Sequence, residues 1–366
     1  MAADAFSRRR FLAALGSGAT MALSTEASWA DIGAPDLVAA TRRGDSFRII
    51  GLDQSGVVSF DHPLPARGHA GAVHPRRAQL VAFARRPGTF ALVIDCASGG
   101  IRARLAAPAG RHFYGHGTFS LDGSRVYTTE NAFDSGQGRI GIWDATDGYR
   151  RLGDMSSGGV GPHEIVRLPG SDVLAVANGG IRTHPAAGRE KLNLPTMAPN
   201  VSYLDGASAT LVDQVRPPAA LRLNSMRHLA VSEGGLVAIA MQWQGDPTDG
   251  VPLLAFHRPG GADLTLAEAD PPTLATMKGY AGSVAFDRAG DHAAITSPRG
   301  GRVMAWHVDG GGPAMWSRMD VCGLTRAADG WIATDGMGGV VALTTDLAPR
   351  PIARLPVAFD NHLISL

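Results

Sequence analysis

Tyr114-Gly-His-Gly-Thr-Phe-Ser-Leu-Asp-Gly123 is the stretch on which the fold is read. It has a small, polar entry, an apolar run and a turn at Asp-Gly. Gly279-Tyr-Ala-Gly-Ser-Val-Ala-Phe-Asp287 fits the same frame, as do Arg67-Gly-His-Ala-Gly-Ala-Val-His-Pro75 and Gly161-Pro-His-Glu-Ile-Val-Arg-Leu-Pro-Gly170. Met226-Arg-His-Leu-Ala-Val-Ser-Glu-Gly-Gly235 and Val321-Cys-Gly-Leu-Thr-Arg-Ala-Ala-Asp-Gly330 fit it more loosely. Self-similarity at intervals of this length marks a repeat architecture.

Each copy is followed by a second apolar run, at 80–85, 125–130, 173–178, 236–243, 292–297 and 331–335. A third follows at 91–95, 140–144, 201–205, 253–257, 303–308 and 340–344, and a less regular fourth leads onward. Period-2 alternation broken by Gly, Asp and Pro dominates, so these runs read as strands. Four antiparallel strands per repeat make a propeller blade.

Six repeat starts, at 69, 116, 163, 228, 281 and 322, leave one blade to find. Residues 36–60 supply three strands without a first, and Ala358-Phe-Asp-Asn-His-Leu-Ile-Ser-Leu366 is one strand without a blade. Joining them predicts an all-β, seven-bladed β-propeller over 31–366, closed by the C-terminal strand as the innermost of the N-terminal blade. Closure leaves no unpaired sheet edge at the ring's seam. The long interval between 163 and 228 predicts an insertion at about 181–198, either a lid or a solvated loop.

The N-terminus reads as an address. Ser7-Arg8-Arg9-Arg10-Phe11-Leu12 resembles the twin-arginine export motif, and an apolar run to Leu23 follows. Ser28-Trp29-Ala30 places small residues at −3 and −1, which predicts a signal peptide over 1–30, cleavage after Ala30 and a periplasmic protein. The apolar run is too short to span a bilayer, so no membrane span is expected in the mature chain. Basic and acidic residues number 34 and 33, which gives no footprint for nucleic acid. Two cysteines, Cys96 and Cys322, cannot make a disulfide framework and are expected to be free, Cys96 in mid-strand. There is no nucleotide or haem motif and no nucleophile elbow. Nothing in the sequence calls for an oligomer, so a monomer is expected.

In register, the repeats place His69, His116, His163, His228, Ala281, Cys322 and His362 in one column, at the start of the innermost strands. The whole chain has 12 histidines, so five in seven positions is a large excess. Innermost strands surround the central channel. Imidazole is the commonest biological metal ligand and thiolate adds a soft donor. The column therefore predicts a transition-metal site, iron or copper, built from His69, His116, His163, His228, His362 and Cys322. A competing reading comes from the Gly-His pairs at 68–69 and 115–116, which look like those of WD repeats, where histidine locks a blade by hydrogen bonding. Acid–base catalysis is a further alternative.

Loops joining second to third strands are expected around the histidines. They bring Arg43 and Arg86, within Arg42-Arg43 and Arg85-Arg86, to clamp an anion. They also bring Glu130, Asn131, Asn178, Arg182, His184, Trp243 and Asp335, while Glu164 follows His163 directly. Glu130, Glu164 and Asp335 are candidate oxygen ligands or partners that orient an imidazole.

Gly115-His-Gly-Thr-Phe-Ser-Leu-Asp-Gly123, Thr129-Glu-Asn131, Gly161-Pro-His-Glu-Ile165 and Ala177-Asn-Gly-Gly-Ile-Arg-Thr-His-Pro185, running to Asn200-Val-Ser-Tyr-Leu204, resemble the family of bacterial propellers called domain of unknown function 1513. The resemblance covers essentially all of the mature chain. It implies twin-arginine export to the periplasm and, from genes that often neighbour imelysin-like iron-regulated proteins, periplasmic iron-uptake partners. It carries no assigned activity. Three functions are open at this point: a metal-binding protein of iron handling, a non-catalytic interaction scaffold, and a metal-dependent hydrolase or lactonase using Glu130 or Glu164.

Overall fold

The computed structural model describes residues 26–85 and 89–366. The signal-peptide segment up to residue 25 and Arg86 lie outside the described residues. Seven four-stranded antiparallel sheets follow one another around a ring. The first blade holds β1 (Leu37–Arg43), β2 (Ser46–Leu52) and β3 (Val58–Leu64), with β28 (Ala358–Ser365) as its innermost strand. Leu37 pairs with Ser365 and Arg42 with Ala358, so both ends of the chain are stitched into one sheet and the ring is closed.

The next six blades each run from inside to outside in chain order. Their innermost strands are β4 (Gly68–Val73), β8 (Arg111–Phe119), β12 (Pro162–Arg167), β16 (Asn224–Val231), β20 (Ser283–Phe286) and β24 (Val321–Arg326). Second strands such as Gln79–Ala84, with every residue buried, lie between neighbouring blades and read as continuous apolar runs. The outer strands, such as Ile101–Leu105, are mostly exposed.

The core is a set of inter-blade layers. Phe83 and Val93 of the second blade pack with Phe113 and Trp143 of the third. Trp331 of the seventh packs with Ala294 and Val303 of the sixth, and its indole N–H donates to Ala285 O at 3.1 Å. Tyr149 and Tyr127 likewise donate across blades, to Gln79 and to Gly206 O. Such contacts satisfy the polar end of each aromatic while its body is buried. Cys96 and Cys322 are both free and buried. Cys96 follows the strand Ala91–Asp95 and sits at its turn, not in mid-strand.

The insertion leaves β13 (Val173–Asn178) and returns at β14 (Asn200–Asp205). It is pinned at several points. Asn193 accepts from the Arg182 N–H at 2.6 Å and donates to Gly180 O at 2.9 Å. His184 reaches Asp134 of the third blade at 3.2 Å, and Arg182 donates to Asp134 O at 2.6 Å. Among the described residues, no helix is long and apolar enough to cross a membrane.

Candidate metal centre

His69, His116, His163, His228 and His362 come from five different blades and converge. Their ring centroids lie 4.6–5.9 Å apart. His69 and His163 stand at the starts of β4 and β12, as the repeat register predicts, whereas His116, His228 and His362 lie well inside β8, β16 and β28. What they share is a break in strand pairing at the histidine or, for His228, directly before it. Register shifts fall between Gly68 and Gly71, Phe113 and Gly117, Pro162 and Glu164, and Met226 and His228. The closing strand has its own between the partners of Ala39 and Thr41. A β-bulge bends the strand and re-aims the side chain it carries. Here five bulges turn five imidazoles toward one another.

Close approach also needs Gly115, which has φ +102°; a Cβ there would stand 2.8 Å from the His69 ring. In the sixth blade β20 pairs without a register shift, and the equivalent position holds Ala281.

Four of the imidazoles are nearly dry, and His163 is half-buried. His116 and His228 are 2% exposed, and His69 and His362 are also buried. His69 Nε2 and His116 Nε2 lie 3.2 Å apart. Two nitrogens on one tetrahedral ion at about 2.0–2.1 Å would stand about 3.3 Å apart, so this pair already has the spacing of a shared ion. His69 Nδ1, His163 Nδ1 and His362 Nε2 are buried with no hydrogen-bond partner. Buried polar atoms are rarely left so, and imidazole nitrogens brought this close together call for a cation; His69 Nδ1 has Asp360 behind it at 4.0 Å. Two overlapping triads can hold one: His69, His116 and His163, and His116, His228 and His362, the donor atoms of each lying within 4.8 Å of one another. His116 belongs to both.

Burial is the main reason that the His69, His116, His163 and His362 imidazoles are held below their ordinary range. The neighbouring rings add to this, because a second positive charge in the cluster is costly. At neutral pH these four are therefore neutral and free to act as ligands.

One carboxylate orients the ring and a second lies close behind it. Glu164 Oε2 sits 3.0 Å from His228 Nδ1, and its Oε1 sits 3.8 Å from His116 Nδ1. The Leu229 N–H also donates to Glu164, at 3.3 Å. Asp360 lies 4.0 Å from His69 Nδ1, too far for a hydrogen bond, and is gripped by Arg67 at 2.5 Å and Arg85 at 2.7 Å. Burial alone would raise the Asp360 carboxyl, but His69 and the two guanidiniums outweigh it and hold it well below the usual carboxylate range. Carboxylates behind imidazole ligands fix the tautomer and the ring orientation.

Of the other residues singled out by sequence, only Glu164 reaches the ring. Cys322 is in the same column but points between blades: its Sγ lies 3.4 Å from Asp360 O and 3.6 Å from Thr334 O. Burial pushes its thiol up to about 12, and it belongs to neither triad. Arg43 pairs with Asp61 at 3.1 Å, away from the ring. Glu130 is wholly buried between Arg111 and Arg151, its closest contact 2.6 Å. Asn178 bonds Ser157, Asn200 and Ser202 inside the fourth blade. Asn131 donates to Thr183 O, and with His184 and Arg182 it anchors the insertion. Trp243 donates to Asp249, and Asp335 caps its own turn and pairs with Arg318 at 2.7 Å. Sequence reading did not pick out Asp360, Arg67 or Arg227. Their one available signal is position: each lies one or two residues before a column histidine.

The fold and the ring define a β-propeller with a histidine cluster fit for a metal ion. The chain belongs to the family described as protein of unknown function DUF1513, whose model matches residues 62–366. No curated protein matches it significantly. Among solved structures it is similar in fold to Kuenenia stuttgartiensis hydrazine synthase, at 15% identity over 73% of this chain and 71% of that one, with a TM-score of 0.54. BamB from Moraxella catarrhalis aligns at 13% identity over 88% and 83%, with a TM-score of 0.55. The β-propeller domain of Cps50 (Swd1) from Myceliophteria thermophila aligns at 12% over 85% and 91%, with a TM-score of 0.57. At such identities the likeness is one of fold alone.

Proposed function

We propose that this protein is exported by the twin-arginine route to the periplasm, holds copper or iron in its histidine ring, and serves in the handling of iron. The observation that carries the metal reading is the convergence of five imidazoles with three unpartnered buried nitrogens. A nitrogen-only set with one carboxylate close by suits both ions, and the Irving–Williams order gives copper the higher affinity. The export reading is supported by Arg8-Arg9 and the apolar run behind them. The link to iron is supported by the family resemblance.

Metal analysis of protein isolated from the periplasm is the test. Near-stoichiometric copper or iron, lost on His116→Gln, is expected. Protein that is isolated metal-free and takes up neither ion on reconstitution overturns the metal reading. Replacing Arg8 and Arg9 by Lys is expected to stop export, and unchanged export overturns the route.

A further inference from the structure

Above the ring lies a chamber of about 190 Å³, room for about six waters. His69, His163 and His228 form its floor, and Arg85, Arg189, Lys191 and Arg227 line it. Neutral donors Tyr114, Thr183, Gln242, Tyr280 and Asn361 fill the gaps, and no carboxylate lines it. Arg299 adds a fifth cation by stacking on the Tyr280 ring, 4.4 Å from its centroid. We propose that this chamber is a binding site for a small oxyanion, of the size of a dicarboxylate or a phosphate, held by the insertion over the histidine ring.

Charge and shape both support this. Asp360 neutralises Arg85, while Arg189 and Lys191 enter from the insertion, and among the described residues no acid is in the lining. Glu190, between two of these cations in sequence, is not part of the lining. Burial first, and then the like charges of Arg227 and Arg299, hold the Lys191 ammonium below its ordinary value. Such crowding costs stability unless an anion offsets it. The walls are also prebuilt: Leu192 N–H donates to Arg182 O, Asn193 ties both ends of the loop, and Arg222 donates to Leu194 O. A preorganised site spends little binding energy on ordering. The anion site does not require the ring's metal, because its cations are the protein's own; an ion in the ring would add to them.

Calorimetric titration of the full mature chain with malonate and with inorganic phosphate tests this, on protein stripped by chelator and on copper-loaded protein. Binding to the stripped protein is expected, and which of the two probes binds tighter distinguishes a carboxylate site from a phosphate site. Arg189→Glu with Lys191→Glu, both exposed and outside the ring, is expected to weaken it about tenfold or more, since charge-assisted hydrogen bonds are lost. That variant should still take up copper, which separates this proposal from the metal reading. Arg350→Glu, on an outer strand, is the charge-matched control and should bind as the parent does. No binding to stripped protein, or binding that Arg189→Glu and Lys191→Glu leave unchanged, overturns the site.

Discussion

His69 Nε2 and His116 Nε2 face each other at 3.2 Å inside the protein, with the unpartnered Nδ1 of His69 behind them. Without a metal, one of the two facing nitrogens must carry the proton, since two bare lone pairs at that distance repel. With a metal, both lone pairs turn to the same ion. His116 also completes the triad with His228 and His362. His116→Gln is therefore expected to weaken copper binding by more than about a hundredfold, above the 10–100-fold that losing an orienting partner costs. His163→Gln spares the second triad and should lose less. A competition titration against a coloured chelator ranks the variants, and equal losses for both would contradict a shared His116.

Protonation sets the pH window. The His69, His116, His163 and His362 imidazoles lie below their unfolded values, so the unfolded chain binds more protons as pH falls through about 6.5. The stability they contribute is complete above that pH and is lost below it. Each extra proton taken up on unfolding adds a slope of about 1.4 kcal/mol per pH unit. Metal-free protein is expected to melt at progressively lower temperature from pH 7 to pH 5. Copper should raise the whole upper part of that curve, and its stabilisation should fall away at the lower pH where protons compete for the ring. Melts across the pH range, with and without copper, read both effects.

Glu130 separates structural carboxylates from functional ones. It is buried, with Arg111 and Arg151 on either side. Glu130→Gln leaves those guanidiniums facing a neutral amide but still paired with Asp154, and is expected to cost about 1–3 kcal/mol, read by urea denaturation. Copper affinity should be unchanged. A stable variant with altered metal binding would place Glu130 in the site after all.

Much of the fold was legible because strands in a propeller declare themselves locally. Val173–Asn178, Ala91–Asp95 and Trp331–Asp335 end where their apolar runs end. The seam was legible because Ala358–Ser365 needed a blade and Leu37–Arg43 needed an inner strand. The five histidines were legible as a column, but the bulges that aim them were not. A bulge is a mismatch between two strands, and one strand's sequence does not show it. Cys322 illustrates the cost. Its column position is shared, yet the shift between Val321 and Leu324 spans two residues and leaves the sulfur against backbone carbonyls. Asn178 and Asp335 sit at strand ends as expected, but their side chains turn into their own blades to satisfy turn and strand groups.

Cys322→Ala should accordingly leave metal uptake untouched. Its Sγ makes only weak contacts, so the change removes a small apolar volume, and the cost should be about 1 kcal/mol. A copper site lost with Cys322, at unchanged stability, would return the thiol to the ligand set.

The segment just before the first strand makes the last prediction. Trp29 packs against the core layer that contains Leu92 and Ile94 of the second blade, and its indole N–H donates to His74 O at 2.8 Å. The Ala78 N–H donates to Ala27 O at 2.7 Å, and Glu26 pairs with Arg77 at 2.6 Å and Arg102 at 2.9 Å. Cleavage after Ala30 would remove all of these groups. The aromatic burial and one backbone hydrogen bond together are worth about 2–4 kcal/mol, and the surface ion pairs add little. Protein beginning at Asp31 is therefore expected to unfold at lower urea concentration than protein beginning at Glu26. Trp29→Ala in the longer protein should reproduce most of the difference. Mass spectrometry of the exported protein shows which N-terminus the cell makes. Equal stability of the two forms would mean that residues 26–30 ride on the second blade without supporting it.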